Sequence, residues 1–257
     1  DSVSACVPYA EGLRAEQHLT FVHPFDDENI IAGQGTIGLE ILDDLPSPDA
    51  IIVPIGGGGL ISGIAKTVEA SGRPIEILGV EAALYPSTRN ALRGEDAPTG
   101  GATLAEGIAI KSPGALTLPI IRDFVADVVS ADELAIEDAV QTMIVSAKVL
   151  TEGAGAVPLA ALTAMRERFA GKTVVLIVSG ANIDSRILAS VLMRGMVRSG
   201  QMVRLRVMIS DAPGVLARVA ELIGEDGGNI VEIVHQRLFF DVPVKQAEVD
   251  IVVETQG

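Results

Sequence analysis

The stretch Ala50–Ile55, which reads AIIVPI, runs directly into Gly56–Leu60, which reads GGGGL. A short, continuous apolar run of this kind is typical of a strand that is buried on both faces of a parallel sheet. A helical pattern over Leu60–Glu69 follows at once, so the order is strand, glycine loop, helix. The sequence therefore predicts an α/β domain with this loop at the C-terminal end of a strand, where open sheets bind ligands.

The glycine loop has the composition of an anion-binding site. Because glycines lack a Cβ, successive backbone N–H groups can turn towards one anion, and the helix N-terminus adds a partial positive charge. The loop therefore predicts a phosphate site that needs no lysine side chain. A second interpretation is that the glycines only allow the strand and the helix to pack closely. The residues predicted to bind the phosphate group are Gly56, Gly57, Gly58, Gly59 and Leu60.

Further strands and helices alternate along the first 198 residues. Ile75–Val80 and Val174–Val178 are apolar runs like the first strand, and Asp132–Leu150 has helical periodicity with Ser130 or Asp132 as its cap. This alternation predicts an open, mostly parallel sheet flanked by helices. The composition shifts near residue 200, so we expect a first domain over residues 1–198 and a second over 202–257.

The second domain has a different pattern. Val203–Ile209 alternates apolar and polar residues as a half-buried strand does, and Val215–Gly224 is an amphipathic helix that ends at glycine. Asn229–Phe239 and Gln246–Glu254 have the pattern of two more strands. The order β-α-β-β predicts a small α+β domain that is incomplete, because another helix would be expected next.

Charge and composition exclude several classes of protein. The 257 residues include 34 acidic and 19 basic side chains, a formal net charge of -15, which argues against binding to a nucleic-acid backbone. A single cysteine, Cys6, cannot form an internal disulfide, which favours a reducing, cytoplasmic location. No apolar run reaches the roughly 18 residues of a membrane span, and no His/Cys cluster indicates a transition-metal site.

Several segments resemble one known enzyme family. The glycine loop and these segments, in the same order, are similar to the pyridoxal-phosphate enzymes of the tryptophan-synthase β-chain type, and more narrowly to the threonine dehydratase and serine racemase group. The other segments are FVHPFD at 21–26 with IAGQGT at 31–36, TLAEGIA at 103–109, EGAGA at 152–156 and VSGAN at 178–182. The resemblance covers about residues 1–195 and implies a fold-type II pyridoxal-phosphate enzyme.

The resemblance implies roles for individual residues around pyridoxal 5'-phosphate. The glycine loop would hold the phosphate, the Ser179 hydroxyl would hydrogen-bond the pyridine nitrogen, and Glu152 would lie near the cofactor. From the residues alone, Ser179 could instead cap the following helix, and Glu152 could be an acid whose negative charge is favourable at a helix N-terminus. We expect His23 to be a hydrogen-bonded structural residue. Glu81 matches a position where some relatives place a cation ligand, but the next residues lack carboxylates, so no metal is predicted.

The family holds the cofactor covalently through a lysine in an S-F-K-x-R-G segment. None of the five lysines, which are Lys66, Lys111, Lys148, Lys172 and Lys245, has these surroundings, so no catalytic residue is assigned. The family's SSGNHAQ segment, which binds the substrate carboxylate, is also absent from this sequence. Both belong ahead of the FVHPFD segment. We therefore expect the chain to be a fragment of a longer enzyme, and inactive by itself.

The second domain resembles an ACT domain, a small ferredoxin-like β-α-β-β-α-β module that binds amino acids at dimer interfaces. The resemblance implies a last helix and strand that this sequence does not contain. The resemblance lies in Asp211–Gly214 at the first turn and in Gly227–Ile230 at the start of the next strand. It implies an amino-acid effector and a homo-oligomer. The residues predicted to bind the effector are Asp211, Gly214, Asn229 and Ile230. A packing domain without any ligand is the alternative.

Three functions fit these residues. The leading hypothesis is a threonine, or serine/threonine, ammonia-lyase that converts L-threonine to 2-oxobutanoate and ammonia by β-elimination. Serine racemase or a serine dehydratase is the second, because the glycine loop and Ser179 serve the cofactor and cannot separate the substrates. The third is an amino-acid-binding regulator without catalysis. The expected partners are a small amino-acid substrate and an effector, with neither nucleic acid nor membrane.

Overall fold

The computed structural model describes residues 3–45, 47–236 and 243–255. Contacts divide the chain into two units, Asp1–Ile183 and Asp184–Gly257. The sequence placed the boundary near residue 200, whereas the contacts group the helix over residues 185–198 with the second unit. The physical reason is local, since this helix packs against the first strand of the second unit.

The first unit is built on a four-stranded parallel sheet in the order β3-β2-β1-β4. Its strands are β1 (Ala50–Pro54), β2 (Glu76–Ala82), β3 (Asp127–Ala131) and β4 (Val174–Leu176). All five residues of β1 are buried, because it is an interior strand covered on both faces. The expected open parallel sheet is thus confirmed, and β3 is a strand that the sequence pattern did not reveal.

Helices cover both faces of this sheet. On one face, Ile51 and Val53 of β1 pack with Ile61 and Ile64 of α3 (Gly59–Ser71). Because side chains alternate along a strand, Ile52 points to the opposite face of the sheet, which a second layer of helix covers. That second layer is α7, which packs on β1, β2 and β3. The helices are α1 (Val3–Gln17), α2 (Glu28–Asp44), α3 (Gly59–Ser71), α4 (Ser87–Arg93), α5 (Thr117–Phe124), α6 (Glu133–Thr142) and α7 (Gly153–Ala164).

One predicted helix is shorter than its apolar periodicity indicated. The expectation was a helix over Asp132–Leu150, but α6 ends at Thr142 and continues as a π-helical turn over Met143–Ala147. Lys148 then adopts a left-handed conformation with φ 59°, which stops the helix. The predicted cap is Asp132, whose Oδ1 accepts a hydrogen bond of 2.8 Å from the Ala135 N–H.

The second unit contains a three-stranded antiparallel sheet in the order β5-β7-β6. Its helix α9 packs one apolar face, which includes Val219 and Ile223, against sheet residues such as Val249 and Ile251. The elements are α8 (Ser185–Arg198), β5 (Met202–Ser210), α9 (Val215–Glu225), β6 (Asn229–Gln236) and β7 (Gln246–Glu254). From β5 onward the order β-α-β-β agrees with the sequence prediction. The last residues of the predicted strand Asn229–Phe239 lie outside the described residues.

Across the described ranges, no helix combines the length and the apolar character that crossing a membrane requires.

Candidate active site

The glycine loop connects the buried end of β1 to α3, and its glycines are required by contacts. Gly58 has φ +95° and forms the N-cap of α3. A Cβ at Gly57 would overlap the ring of Phe25, and one at Gly58 would lie 2.7 Å from Thr117 Oγ1. A Cβ at Gly59 would lie 2.9 Å from the Phe25 carbonyl oxygen. Close packing, the second interpretation of the sequence, is therefore real at these positions.

Packing leaves the N–H groups of the loop unpaired. Within the described residues, the backbone N–H groups of Gly56–Leu60 donate to no acceptor, and the first hydrogen bond of α3 runs from the Ser62 N–H to the Gly58 carbonyl at 3.0 Å. Gly57, Gly58 and Gly59 are buried. Unpaired buried donors are rare and unfavourable. The loop therefore presents a row of donors that an anion would satisfy.

These donors border a cavity of about 440 Å³ in the first unit. The seven residues that the sequence assigned to the cofactor, namely Gly56, Gly57, Gly58, Gly59, Leu60, Glu152 and Ser179, all line it. Five further residues of the FVHPFD, AGQGT and TLAEGIA segments line the cavity, although the sequence did not assign them to the site. They are Pro24, Phe25, Gln34, Gly107 and Ile108. The structure thus brings together residues from segments far apart in the chain.

Ser179 follows β4, is exposed and lines the cavity. Its side chain forms no hydrogen bond within the part of the chain that is described. The cap of the next helix, α8, is Asp184, whose Oδ1 accepts hydrogen bonds from the N–H groups of Arg186 at 2.9 Å and Ile187 at 3.2 Å. The interpretation of Ser179 as a helix cap is therefore wrong, and its hydroxyl is available to a ligand.

Glu152 precedes α7 and is held by a backbone hydrogen bond of 3.1 Å from its N–H to the Gly180 carbonyl. Its side chain makes no capping bond and occupies the space that a Cβ on Gly180 would need. Burial raises the pKa of the Glu152 carboxyl, and the negative charge of Glu106 raises it further. A carboxyl with a raised pKa at the cavity wall can hold a proton near neutral pH more readily than an exposed glutamate.

The FVHPFD segment forms another wall of the cavity. His23 Nδ1 accepts a hydrogen bond of 2.7 Å from the Asp26 N–H, and the His23 ring meets the Phe25 ring edge-on at 4.7 Å between centroids. The Asp26 carboxylate accepts from the N–H groups of Ala115 at 2.9 Å and Leu116 at 2.8 Å, at the start of α5. His23 is thus the hydrogen-bonded structural residue expected, and the segment fixes Phe25 over the glycines.

Glu81, the candidate cation ligand, is committed to the backbone instead. Its Oε1 accepts from the Thr88 N–H at 2.7 Å, and its Oε2 accepts from the Arg89 N–H at 3.0 Å. Burial raises the pKa of Glu81, and these two hydrogen bonds act in the opposite direction. In residues 3–45, 47–236 and 243–255, no group of three His, Cys, Asp or Glu side chains is placed to hold a metal ion.

None of the chain's lysines lines the cavity, as far as the described residues go. Lys66, on the helix that follows the glycine loop, is exposed and pairs with Glu69 at 3.0 Å between Nζ and Oε2. Its Nζ also lies 4.4 Å from the centroid of the Phe124 ring. The described residues therefore supply a phosphate cradle, a hydroxyl and a carboxyl to this cavity, but no amine.

Comparison with known proteins agrees with this geometry. The family model described as pyridoxal-phosphate dependent enzyme matches residues 1–180. The chain belongs to this family. The expected cofactor class, and the expected fold type of the first unit, are thereby confirmed.

Three individual proteins show how close the similarity is. L-threonine ammonia-lyase of Geobacter sulfurreducens is 46% identical over 255 residues, which are 97% of this chain and 63% of that protein. A solved threonine deaminase, from T.th., is 36% identical with a TM-score of 0.63, over 67% of this chain and 65% of that one. Maize serine racemase is 31% identical with a TM-score of 0.66, over 78% and 63%. The chain spans about 63% of the length of its curated relative.

The residues present fit pyridoxal phosphate. The buried, unpaired N–H groups of Gly56–Leu60 suit the cofactor's phosphate, and Cβ atoms on Gly57 to Gly59 would force the surrounding wall to shift. The Ser179 hydroxyl can hydrogen-bond a ring nitrogen. When bound, pyridoxal phosphate supplies an electron sink for the α-carbon of an amino acid.

The predicted effector residues lie in two separate places within the second unit. Asp211 and Gly214 follow the end of β5, whose Ser210 pairs with Gln246 at the start of β7. Asn229 and Ile230 begin β6 and pair with the other end of β7. A separate cavity of about 290 Å³, lined by residues such as Val203 and Gly228, contains none of the four residues assigned to the effector.

Proposed function

We propose that this chain is part of an L-threonine ammonia-lyase, which converts L-threonine to 2-oxobutanoate and ammonia by β-elimination. The observation that carries the proposal is the 46% identity to L-threonine ammonia-lyase over 97% of the chain. This similarity extends beyond the residues 1–180 that the family model matches, into the second unit. Fold similarity alone supports less, since threonine deaminase and serine racemase structures match with TM-scores of 0.63 and 0.66.

In this function, each part of the cavity has a separate task. The N–H groups of Gly56–Leu60 bind the cofactor phosphate, and Phe25 excludes water from that side of the loop. Ser179 donates its hydroxyl hydrogen to the pyridine nitrogen and, being neutral, does not favour protonation of that nitrogen as a carboxylate would. Glu152, which lines the same cavity and has a carboxyl with a raised pKa, supplies a proton donor or acceptor there.

The second unit is the place for an effector in this proposal. Gly214 has φ +87° at the start of α9, and the next N–H groups of the helix, those of Leu216 and Ala217, have no acceptor in the described residues. These donors suit the carboxylate of an amino acid. Because Asn229 and Ile230 lie at the far end of the same sheet, a single site with all four residues requires two copies of the unit, in accord with an ACT-like homo-oligomer.

A cytoplasmic location belongs to the same proposal. Cys6 is a free, exposed thiol, which persists more readily in a reducing compartment. The acid excess of the sequence is also consistent with an enzyme that binds neither nucleic acid nor an anionic membrane surface.

The first test is an assay of the intact gene product with L-threonine, L-serine and D-serine in separate reactions. We expect 2-oxobutanoate and ammonia from L-threonine, with a larger kcat/KM than for pyruvate release from L-serine. Interconversion of L- and D-serine without 2-oxobutanoate would instead assign a racemase. Amino-acid binding with no turnover of any of these substrates would assign a regulator without catalysis.

The second test examines Ser179. In the intact enzyme, Ser179→Ala removes a hydrogen bond to the cofactor, and we expect kcat/KM to fall at least about tenfold. Ser185→Ala is the matched control, because Ser185 is an exposed serine at the start of α8. Equal activity of both variants would contradict the role given to Ser179.

The effector proposal needs its own measurement. Calorimetric titration of the full chain with isoleucine, valine and serine should give heat for one of them, and Asp211→Asn should weaken that binding. No heat with all three would assign the second unit to packing.

A further inference from the structure

A second cavity of the first unit, of about 240 Å³, lies near the start of β3. Three arginines, Arg89, Arg93 and Arg122, line it together with a single acid, Asp127. They come from α4, α5 and the first residue of β3. The cavity at the glycine loop is a different one, because the two cavities share no lining residue.

The three arginines outnumber the acids that line this cavity. Within the described ranges, none of the three guanidinium groups forms a salt bridge with a carboxylate. Asp127 Oδ1 accepts a hydrogen bond of 2.8 Å from the adjacent Val128 N–H. Three arginines around one small cavity are notable in a chain whose net charge is -15.

Arg89 has one guanidinium N–H whose hydrogen bond is not satisfied within the described residues. Its Nη1 donates a hydrogen bond of 3.1 Å to Ser130 Oγ, but its Nε is buried and has no acceptor in the described part of the chain. Glu81 is close enough to interact electrostatically with Arg89, yet its two carboxylate oxygens accept from backbone N–H groups. A buried guanidinium N–H without an acceptor is costly, so a movement of the Arg89 side chain that brings this N–H to an anion in the cavity would be favourable.

Helix dipoles account for only part of this arrangement. Arg93 and Arg122 lie in the last turns of α4 and α5, where a positive side chain is favourable. That explanation serves each arginine separately. It accounts neither for their meeting at one cavity nor for Arg89, which is the third residue of α4.

We propose that Arg89, Arg93 and Arg122 form a binding site for a phosphate group. Planar guanidinium groups bind phosphate oxygens in pairs of charge-assisted hydrogen bonds, which matches three arginines around a cavity of this size. The same chemistry would recognise inorganic phosphate or the phosphate of a small monoester. The site is distinct from the glycine loop, which carries no charged side chain.

The test uses the full 257-residue chain and the Nε–H resonances of its arginines in NMR spectra. Inorganic phosphate is the first probe, and the Arg89 Nε–H resonance, assigned by its absence in Arg89→Lys, should shift and saturate. Arg93→Gln and Arg122→Gln should each raise the Kd read at this resonance about tenfold. Arg166→Gln, which removes an exposed arginine outside the cavity, should leave that Kd within about twofold.

Two further probes separate the sources of the phosphate group. Tighter binding of glycerol 3-phosphate than of inorganic phosphate would assign a phosphomonoester, and equal or weaker binding would assign free phosphate. Acetate binding as tightly as phosphate would overturn the assignment of a phosphate site.

The site itself is overturned if the Arg89 resonance does not move up to about 20 mM phosphate, which is already a weak affinity. It is also overturned if Arg93→Gln and Arg122→Gln bind phosphate as the unaltered chain does. Phosphate that binds at the glycine loop leaves the Arg89 resonance in place, so the result is independent of the function proposed for that loop.

Discussion

Two turns in this protein have the same backbone design and different surroundings. Gly58 and Gly214 each follow a strand, each has a positive φ, of +95° and +87°, and each forms the N-cap of a helix. A Cβ on Gly58 would contact Thr117 at 2.7 Å, whereas a Cβ on Gly214 would meet nothing within 4 Å. The turn at Gly58 is buried among other side chains, and the turn at Gly214 is exposed.

The difference shows what local sequence can and cannot determine. A glycine with positive φ is enough to turn a strand into a helix and to leave the first N–H groups of the helix free. Whether those donors form a binding site depends on neighbours from distant segments, which exclude water and fix the loop. At Gly58 these neighbours are Thr117 and Ile121, and at Gly57 the neighbour is Phe25.

The largest expected effect is at the buried turn. In Gly58→Ala, a left-handed alanine and an overlap with Thr117 act together, and we expect the free energy of unfolding of the first unit to fall by about 3 kcal/mol. Urea denaturation measures the change. Gly72→Ala is the matched control, because Gly72 has φ +66° with nothing within 4 Å, and we expect a loss of about 1 kcal/mol. Equal losses of stability in the two variants would show that the residues around Gly58 move to accommodate the added methyl group.

A smaller effect is expected from the contact that fixes the wall. Asp26→Ala leaves the N–H groups of Ala115 and Leu116 without their acceptor, and we expect a loss of about 2 kcal/mol in urea denaturation. Asp27→Ala, which removes the local cap of α2, should cost about 1 kcal/mol. A larger loss for Asp27→Ala would mean that the helix cap matters more than the wall.

At the exposed turn, only backbone strain is expected. Gly214→Ala should lower the stability of the second unit by about 1 kcal/mol, as Gly72→Ala does in the first. Hydrogen exchange at the buried β7 residues Val249 and Ile251 reports this change. A loss as large as that of Gly58→Ala would contradict the comparison and indicate a contact at Gly214.

The smallest effect concerns charge on the second sheet. Hydrogen bonds from Arg204 and Arg206 lower the pKa of Asp250 from 3.8 to about 2. Since the folded-state pKa is depressed, this stabilisation is present above about pH 4 and is lost as the pH falls towards 2. The difference in Tm between the unaltered chain and Asp250→Asn should therefore shrink between pH 4 and pH 2. A constant difference would show that the pair does not titrate in this range.

The sequence was informative where one local signal decides the structure. The run Ala50–Ile55 and the glycines after it predicted both the buried strand and its loop, because hydrophobic burial and missing Cβ atoms act over a few residues. It failed at Met143–Ala147, where apolar spacing continues but the backbone turns through a π-helical segment to Lys148. Strand β3 has only two large apolar residues, Val128 and Val129, too few for a pattern.

The cavity could be predicted only in part for a related reason. Gly56–Leu60, Glu152 and Ser179 were assigned through motifs, and the structure brings them together. The position of Phe25 against Gly57 follows from Asp26, which binds backbone groups about 90 residues away. No sequence pattern indicates such a pairing, so the position of Phe25 in the cavity is known only from the structure.

That long-range bond has a kinetic consequence. Asp26 and Leu116 are 90 residues apart, and Glu152 and Gly180 are also joined across the chain. Contacts of high sequence separation pay a large loop-closure entropy before they contribute, so they tend to form late in folding. We therefore expect the binding cavity to be among the last parts of the first unit to assemble. Substitutions in its wall would then mainly accelerate unfolding and leave the folding rate nearly unchanged.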